Sequence, residues 1–414
     1  MFTVKYFIAV ATVAIGASTQ FYSYGIVNPV LPLVTEWINQ TYIERYGTIM
    51  NKSQLNIFWS FVVSSMAIGG IFGSLMTRIM ADRFGRKNGL LINGIANIIG
   101  AFLELIAKVT RSPELLIVGR IILGFNTGLA SGLAPIYLME ITPSKYRGAA
   151  GTIHQLAVAF SDWFSLLIGL PELLGNDRLW PVAFAFPGIQ ALALCLILPF
   201  CPESPRYILW HMKDKDETMS VIKKFVDEQH ANDILHEIIE ETSQIKGSYR
   251  ELFTRKELLR PMMISLLVMI TQQFTGCSIV FAYSTNIFVE AGLSLPIARY
   301  STLIIGIAYF LTTCLAPYLI EKVGRRKLLL FQLSSCEIAI ILLMGFAFLQ
   351  NYCEFAWASN GSAIALLLYM LVYGVGSPIP WMITSEMFDT EVKKKAPLRL
   401  PRNSRKKNFS EFHG

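Results

Sequence analysis

Charged residues are scarce in this sequence, since Asp, Glu, Lys and Arg make up only 16% of its 414 residues. An ordinary soluble domain contains about a quarter. Hydrophobic residues make up 53%, and long apolar runs recur from one end of the chain to the other. This composition argues against a series of soluble domains and indicates a protein that lies in a lipid bilayer.

The sequence also lacks the usual signs of catalysis. Its six cysteines have no CxxC spacing and its five histidines are scattered, so neither a disulfide framework nor a metal site is indicated. No nucleophile with a paired base and no phosphate loop stands out. The net charge of +7 comes from short loops and a tail rather than a basic face, which argues against nucleic acid. We expect no enzyme activity, no metal and no cofactor.

About ten segments are long and apolar enough to cross the hydrocarbon core, which takes roughly 20 residues. They cover 6–33, 57–80, 90–108, 114–139, 149–172, 181–200, 261–289, 298–320, 328–350 and 362–388. The first continues without a small-residue cleavage site, unlike a signal peptide. The sequence therefore predicts an all-α membrane protein.

A strongly polar stretch separates six of these spans from the other four, and its apolar pairs at helical spacing predict a helical linker. A charged loop motif occurs once on each side, as Asp82 to Lys87 and as Glu321 to Lys327. Repeated halves around a cavity are the plan of many secondary transporters. The expected units are a six-span half (1–202), a cytoplasmic linker (203–260), an incomplete four-span half (261–388) and a basic cytoplasmic tail (389–414).

The loops indicate the orientation of the chain, because Lys and Arg favour the cytoplasmic side. The cation-rich loops and the tail fall on one side, which places both termini in the cytoplasm. Glycosylation sequons begin at Asn39, Asn51 and Asn360 in the opposite loops, and they require a lumenal or extracellular face. We expect a glycosylated multi-pass protein of the plasma membrane.

Several short motifs are spread over most of the chain. They are Gly119-Arg120, Glu140 to Gly148, Gly151 to Leu156, Pro202 to Arg206, Gln272-Gln273 with Tyr283 to Thr285, Gly324 to Arg326, and Pro378 to Trp381. With these motifs the chain resembles the sugar porter family of the major facilitator superfamily, and in particular the animal facilitative glucose transporters. The resemblance implies a major facilitator-type helical bundle of two repeated halves and a hexose substrate.

Uncharged amides inside the spans are candidates for holding that substrate. Gln155, Gln272 and Gln273 are costly in hydrocarbon unless they line a cavity or bond a neighbouring helix, and polarity alone does not choose between these explanations. A hexose needs neutral donors and acceptors beside aromatic rings. The resemblance favours sugar binding and adds Ser278 and Trp381, the latter after two prolines that permit a break in the tenth span.

Charged residues at the predicted cytoplasmic helix ends are candidates for gating. They can simply fix the topology, or they can form ion pairs that join the halves when the site faces outward, as the resemblance implies. The set comprises Arg83, Arg86, Glu140, Arg147, Glu203, Arg206, Glu321, Arg325, Arg326 and Glu386.

The sequence departs from the family pattern at points that bear on function. Met269 to Thr271 replaces a Gln-Leu-Ser sequence of glucose-selective members, and Ser278 and Tyr309 replace asparagines, which leaves the hexose open. Because the family has twelve spans, a truncated non-transporting isoform, one that associates with a full-length transporter, or a sensor is an alternative. A proton-coupled symporter is another: the first span lacks the acid of such symporters, but Asp162 lies two turns after Gln155.

Overall fold

The computed structural model describes residues 2–17, 21–244, 256–353 and 357–383, and most of these residues are helical. No β-strand forms within these ranges, where Phe2 and Val226 make an isolated bridge. The helices are α1 (Val4–Ala17), α2 (Tyr22–Gly25), α3 (Val27–Tyr46), α4 (Lys52–Phe84), α5 (Arg86–Ala107), α6 (Pro113–Glu140), α7 (Arg147–Ile168), α8 (Trp180–Ile197), α9 (Pro205–Met212), α10 (Lys215–Phe225), α11 (Glu228–Gln244), α12 (Lys256–Phe274), α13 (Cys277–Glu290), α14 (Leu295–Val323), α15 (Arg325–Cys353) and α16 (Trp357–Gly376).

Nine helical segments of the described residues are long and apolar enough to cross a bilayer, and each overlaps a span predicted from the sequence. They are Val4–Gly25, Lys52–Phe84, Arg86–Ala107, Pro113–Glu140, Trp180–Phe200, Leu259–Glu290, Leu295–Val323, Arg325–Gln350 and Trp357–Ile383. The predicted span 149–172 is also helical, as α7. Polar side chains such as Gln155 and Asp162 make it less apolar than the other nine. The prediction of an all-α membrane protein is confirmed.

One of the spans is interrupted near its middle. Thr275 and Gly276 separate α12 from α13, and Gly276 has a φ of 83°, a conformation that favours glycine. The boundary between α2 and α3 is milder, because Ile26 keeps helical dihedral angles and its N–H donates to the Tyr22 carbonyl. Interrupted helices free backbone groups to face a cavity or a neighbouring helix.

Glycines allow α4 and α6 to pack closely. Gly69 and Gly73 are one turn apart on α4, as are Gly124 and Gly128 on α6. A Cβ atom at any of the four would overlap a backbone carbonyl oxygen of the other helix. Pairs of small residues four positions apart are a common way for membrane helices to bring their backbones together.

We call α1–α8 the first half and α12–α16 the second half of the bundle. The halves meet where α7 packs against α14 and where α3 packs against α13. Trp163 of α7 stacks on Phe310 of α14, with ring centroids 6.2 Å apart, and Phe160 meets the same ring edge-on at 5.8 Å. Ala159 continues this contact into a buried apolar cluster of the second half.

Helices α9–α11, which lie between the two halves in the sequence, form an amphipathic layer. Ile222, Phe225 and Ile238 of this layer are buried, and the assignment of residues 203–260 as a cytoplasmic linker stays a prediction. The chain's first residues attach to this layer, because the Thr3 backbone N–H donates to the Phe225 carbonyl at 3.0 Å. The linker is therefore tied to the start of α1.

Candidate functional site

Gln272 is a buried amide beside the break between α12 and α13. Its side-chain Nε2 donates to the Tyr373 hydroxyl and to the Ser377 carbonyl, both at 3.3 Å. Its Oε1 is buried and has no hydrogen-bond partner in the described part of the chain. The Nε2 of this amide therefore bonds Tyr373 of α16, while its Oε1 can still accept a hydrogen bond from a hydroxyl group.

The helix α16 ends at the point that Gln272 contacts. Pro378 and Pro380 have no N–H, so the carbonyls of Gly374 and Gly376 lose their usual helical donors. The chain turns at Ser377, and residues 379–383 are helical again. The break predicted from the two prolines is confirmed, and we call residues 374–380 the α16 hinge.

The other residues assigned to sugar are more open than Gln272. Gln273 and Ser278 flank the α12–α13 break and are exposed, and Trp381, just beyond the α16 hinge, is 53% exposed. Gln155 is half-buried on α7, the first-half helix that packs against α14. The structure thus brings Gln272 to the segment that precedes Trp381 and places Gln155 on a helix at the contact between the halves.

Asn28 joins the two halves at one end of the bundle, and sequence reasoning did not single it out. It lies on α3 and is 1% exposed. Its Nδ2 donates to the Phe281 carbonyl at 2.8 Å and to the Ser284 hydroxyl at 2.7 Å, and its Oδ1 accepts from the Thr285 N–H at 3.1 Å. We call this the Asn28 end. Three bonds to one turn of α13 thus join the halves at this end.

At the opposite end, which we call the Glu140 end, charged residues of the first half form a compact network. Arg86 Nη2 donates to Glu140 Oε1 at 2.9 Å, and Arg86 Nε lies 2.8 Å from Glu140 Oε2. The Ser204 hydroxyl donates to the same carboxylate. Because both side chains of the ion pair are largely buried, with 15% and 12% exposed, removing either one would leave an unpaired charge in the interior.

Glu203 fastens the loop between α4 and α5 in the same network. Its Oε1 accepts from the backbone N–H groups of Arg86 at 3.1 Å and Lys87 at 3.0 Å. Burial raises the pKa of the Glu203 carboxyl, and the N–H bonds oppose this without cancelling it. The carboxylate thus caps the first turn of α5, where helix N–H groups favour negative charge.

The remaining candidate gating residues are distributed around this end. Arg147 pairs with Glu237 of the linker, with Nη2 3.2 Å from Oε1. Arg83 is exposed and Arg206 is half-buried, while Glu321, Arg325 and Arg326 are exposed at the α14–α15 turn. Glu386 and the tail from residue 389 lie outside the described residues. The ion pairs of Arg86 and Arg147 thus join parts of the first half and the linker.

Arg120 and Glu104 are charged residues buried inside the first half. Arg120 is fully buried, and its guanidinium donates to the Ser23 carbonyl at 2.9 Å and the Val62 carbonyl at 3.3 Å. It therefore fixes the short helix α2 against α4. The sequence marked Arg120 through its Gly-Arg motif but gave no contact for it. Glu104, also fully buried, lies on α5, and its side chain packs against Gly119 of α6.

The three predicted glycosylation asparagines differ in environment. Asn39 is half-buried on α3, and its Oδ1 accepts from the Met50 N–H at 3.1 Å. Asn51 is exposed and caps the start of α4, and Asn360 is exposed on α16. Exposure favours Asn51 and Asn360 over Asn39 as acceptors, and glycosylation of all three stays a prediction. In the described ranges no group of three or more His, Cys, Asp or Glu residues is arranged to hold a metal.

Comparisons with known proteins give the family and the fold. The family model described as "Sugar (and other) transporter" matches residues 9–398. The facilitated glucose transporter member 1 of Gallus gallus is 32% identical over 391 residues, which are 93% of this chain and 79% of that protein. A facilitated glucose transporter homolog of Caenorhabditis elegans is also 32% identical, over 94% of this chain and 77% of its own length.

Solved structures share the architecture at lower identity. A partially occluded inward open conformation of the xylose transporter XylE from E. coli matches with a TM-score of 0.72 and 22% identity, covering 93% of this chain and 88% of that chain. An auto-inhibited POT family peptide transporter matches with a TM-score of 0.58 and 13% identity, covering 93% and 86%. These likenesses show that the chain has a major facilitator fold. They do not indicate its substrate, because one fold can serve transporters of different substrates.

Proposed function

The chain belongs to the sugar transporter family, and from that premise we propose that it carries a hexose such as glucose across a membrane. The hexose binds between the halves, the halves rock about it, and it leaves down its gradient without a cofactor. Members of this family are transporters, so the chain is not an enzyme. We place the protein in the plasma membrane with the Glu140 end in the cytoplasm, as the cation-rich loops predict.

One observation carries the alternating-access part of the proposal: the halves are bonded at the Asn28 end. There, a first-half side chain makes three hydrogen bonds to α13. At the Glu140 end, Arg86 and Glu140 are satisfied within the first half. This arrangement supports a state closed at the Asn28 end, and its counterpart requires the Asn28 bonds to break.

The proposed hexose contacts are Gln155, Gln272, Gln273, Ser278 and Trp381. Gln272 supports this assignment most directly, because its free Oε1 lies beside the α12–α13 break. A hydroxyl of the sugar would satisfy that acceptor, and the exposed indole of Trp381 offers a face for the apolar side of the ring. The substitutions at Met269 to Thr271 leave the preferred hexose to experiment.

A proton-coupled symporter is the second candidate function. Asp162 on α7 is 3% exposed, and its electrostatic neighbours include Cys277 and Tyr309 of the second half. An acid buried at the contact between halves is expensive in a membrane and is typical of proton pathways. Facilitated diffusion is preferred because the close relatives are named as facilitated transporters.

Uptake by purified protein in liposomes tests the proposal. We expect saturable uptake of labelled D-glucose or another hexose that an imposed proton gradient does not drive above equilibrium. Gln272→Leu should raise the KM by about tenfold, since a lost hydrogen bond to a buried partner costs about 1–2 kcal/mol. Gln190→Leu is the matched control, because Gln190 lies on α8, away from the site.

Each outcome separates the alternatives. Accumulation driven by the proton gradient would establish the symporter. The absence of saturable flux from correctly inserted protein would support the non-transporting isoform or sensor and overturn the proposal. Equal KM values for Gln272→Leu and Gln190→Leu would remove Gln272 from the sugar site.

A further inference from the structure

Gln332 is a buried amide beside the α16 hinge that the proposed site does not use. It lies on α15 and is fully buried. Neither its Nε2 nor its Oε1 has a hydrogen-bond partner among the described residues. An amide buried in this way costs free energy, because it has given up its bonds to water without gaining others. A buried amide without a partner in one state is a candidate for having a partner in another.

The neighbour of this amide is the hinge itself. A Cβ atom at Gly376 would overlap the Gln332 amide oxygen, so the side chain lies directly on the Gly376 backbone. Pro380 has no N–H to give to the Gly376 carbonyl, which is the bond that a continuous helix would make. A free amide and a carbonyl deprived of its helical donor thus lie together at the hinge.

Gln272 reaches the same turn from α12. It donates to the Ser377 carbonyl, one residue after Gly376. When the Gln272 side chain rotates so that its free Oε1 accepts from a hexose hydroxyl, its Nε2 moves away from the Ser377 carbonyl and that bond is lost. The hinge then loses its bond to α12, while the amide on α15 remains beside it.

We propose that Gln332 is a positioning residue for transport: when Gln272 turns to the sugar and the Asn28 end opens, the Gln332 amide donates to the hinge carbonyl of Gly376. This inference rests on the proposed function for the part played by sugar. Gln332 touches no hexose in this scheme. It stabilises the second position of the α16 hinge and so favours the state that is open at the Asn28 end.

The test substitution is Gln332→Met, which keeps the length of the side chain and removes its hydrogen bonds. Gln190→Met is the matched control, because Gln190 also has a buried amide oxygen without a partner in the described structure but lies on α8 of the first half. Both variants are compared with the parent protein in lipid nanodiscs. Melting temperatures report whether each variant is folded.

Hydrogen exchange of the α13 amides is the main readout, since the Thr285 N–H is bonded to Asn28 in this structure and loses that bond when the Asn28 end opens. Loss of the Gln332 bond disfavours the open state, so we expect about threefold to tenfold slower exchange in α13 and an equal or higher melting temperature. The maximal transport rate in liposomes should fall by a similar factor. Gln190→Met should match the parent in both measurements.

The possible failures are distinguishable. If the parent transports hexose and Gln332→Met matches it in α13 exchange and in maximal rate, this inference is overturned and the proposed function stands. If the parent shows no saturable flux, the proposed function fails, and α13 exchange alone decides the role of Gln332. Faster α13 exchange in Gln332→Met would also contradict the proposal.

Discussion

At the scale of single residues, the hydrogen bonds from α3 to α13 at the Asn28 end all involve Asn28. One side chain with 1% exposure supplies two donor bonds and one acceptor bond to a single turn of α13. Because the Phe281 carbonyl and the Thr285 N–H belong to the backbone, replacing either residue would leave its bond to Asn28 in place. One substitution at Asn28 therefore removes all three bonds at once.

Asn28→Ala should open the Asn28 end more often. Interhelical hydrogen bonds in membranes are worth about 0.6–2 kcal/mol, so the loss of this set should speed exchange of the α13 amides by at least about threefold. Thr35→Ala is the control, since the Thr35 hydroxyl bonds only carbonyls of its own helix, at 2.8 and 3.1 Å. Mass spectrometry of exchanged α13 peptides is the measurement. Equal exchange in the two variants would show that Asn28 does not hold the halves together.

Residue-level reasoning from sequence selected residues where a motif supported them and passed over residues where none did. Gln272 was singled out because an amide in a span is costly and a paired-glutamine motif contains it. Asn28 and Gln332 are equally polar residues inside the predicted spans 6–33 and 328–350, and the same cost argument applies to them. What sequence could not supply is the partner: the bond from Asn28 to Thr285 joins residues 257 positions apart.

At the scale of helices, the breaks and close contacts follow from glycine and proline. The two prolines predicted the α16 hinge, and the structure confirms it. The break between α12 and α13 was not predicted, although Gly276 could have indicated it, because a glycine in a span is as often a packing residue as a turn. Likewise, glycine spacing in α4 and α6 is visible in the sequence, but their pairing requires the three-dimensional structure.

The α4–α6 contact gives a prediction with an internal control. Gly73→Ala places a methyl group on the Phe125 carbonyl, and the adjoining backbone has to move. We expect destabilisation of about 1–3 kcal/mol. At Gly70, a Cβ would lie 3.6 Å from the Gly124 carbonyl oxygen, an ordinary contact. Gly70→Ala should thus be neutral, or stabilising by up to about 1 kcal/mol because alanine favours the helix.

Thermal unfolding in a mild detergent, followed by the loss of the monodisperse peak in size-exclusion chromatography, measures the difference between these variants. A lower midpoint for Gly73→Ala than for Gly70→Ala is expected. Identical midpoints would mean that α4 and α6 do not approach as closely as the glycines permit.

At the scale of the whole molecule, two bundles are joined by hydrogen bonds at the Asn28 end, while Arg86 and Arg147 at the Glu140 end pair with residues of the first half and the linker. Arg86, Glu140, Glu203 and Ser204 come from separate helices and loops, and their bonds make the Glu140 end of the first half one unit. Composition alone identified a helical membrane protein, and repeated motifs identified two halves. The state of the two ends could not be read from sequence, because the same charges can serve either arrangement.

Glu140→Gln tests whether this unit contributes to the state that is open at the Asn28 end. Glutamine keeps the shape of the Glu140 side chain but lacks the negative charge that balances Arg86. Both side chains of this ion pair are largely buried, with 15% of Arg86 and 12% of Glu140 exposed. The network holds the charged side chains of the first half in place, so that they can pair with Glu321, Arg325 and Arg326 of the α14–α15 turn when the Glu140 end closes. We therefore expect the variant to favour the present state and to exchange labelled hexose about tenfold more slowly, with membrane insertion unchanged.

Glu228→Gln provides the comparison for this prediction, because Glu228 pairs with Lys223 at 2.7 Å on the linker surface with 78% of its side chain exposed. An exposed pair of this kind contributes about 0–1 kcal/mol, so its loss should leave exchange unchanged. Equilibrium exchange across liposomes and surface labelling of inserted protein measure rate and insertion separately. If Glu140→Gln exchanged hexose as fast as Glu228→Gln, the network would fix only the architecture of the first half, and the closure of the Glu140 end would have to depend on other contacts.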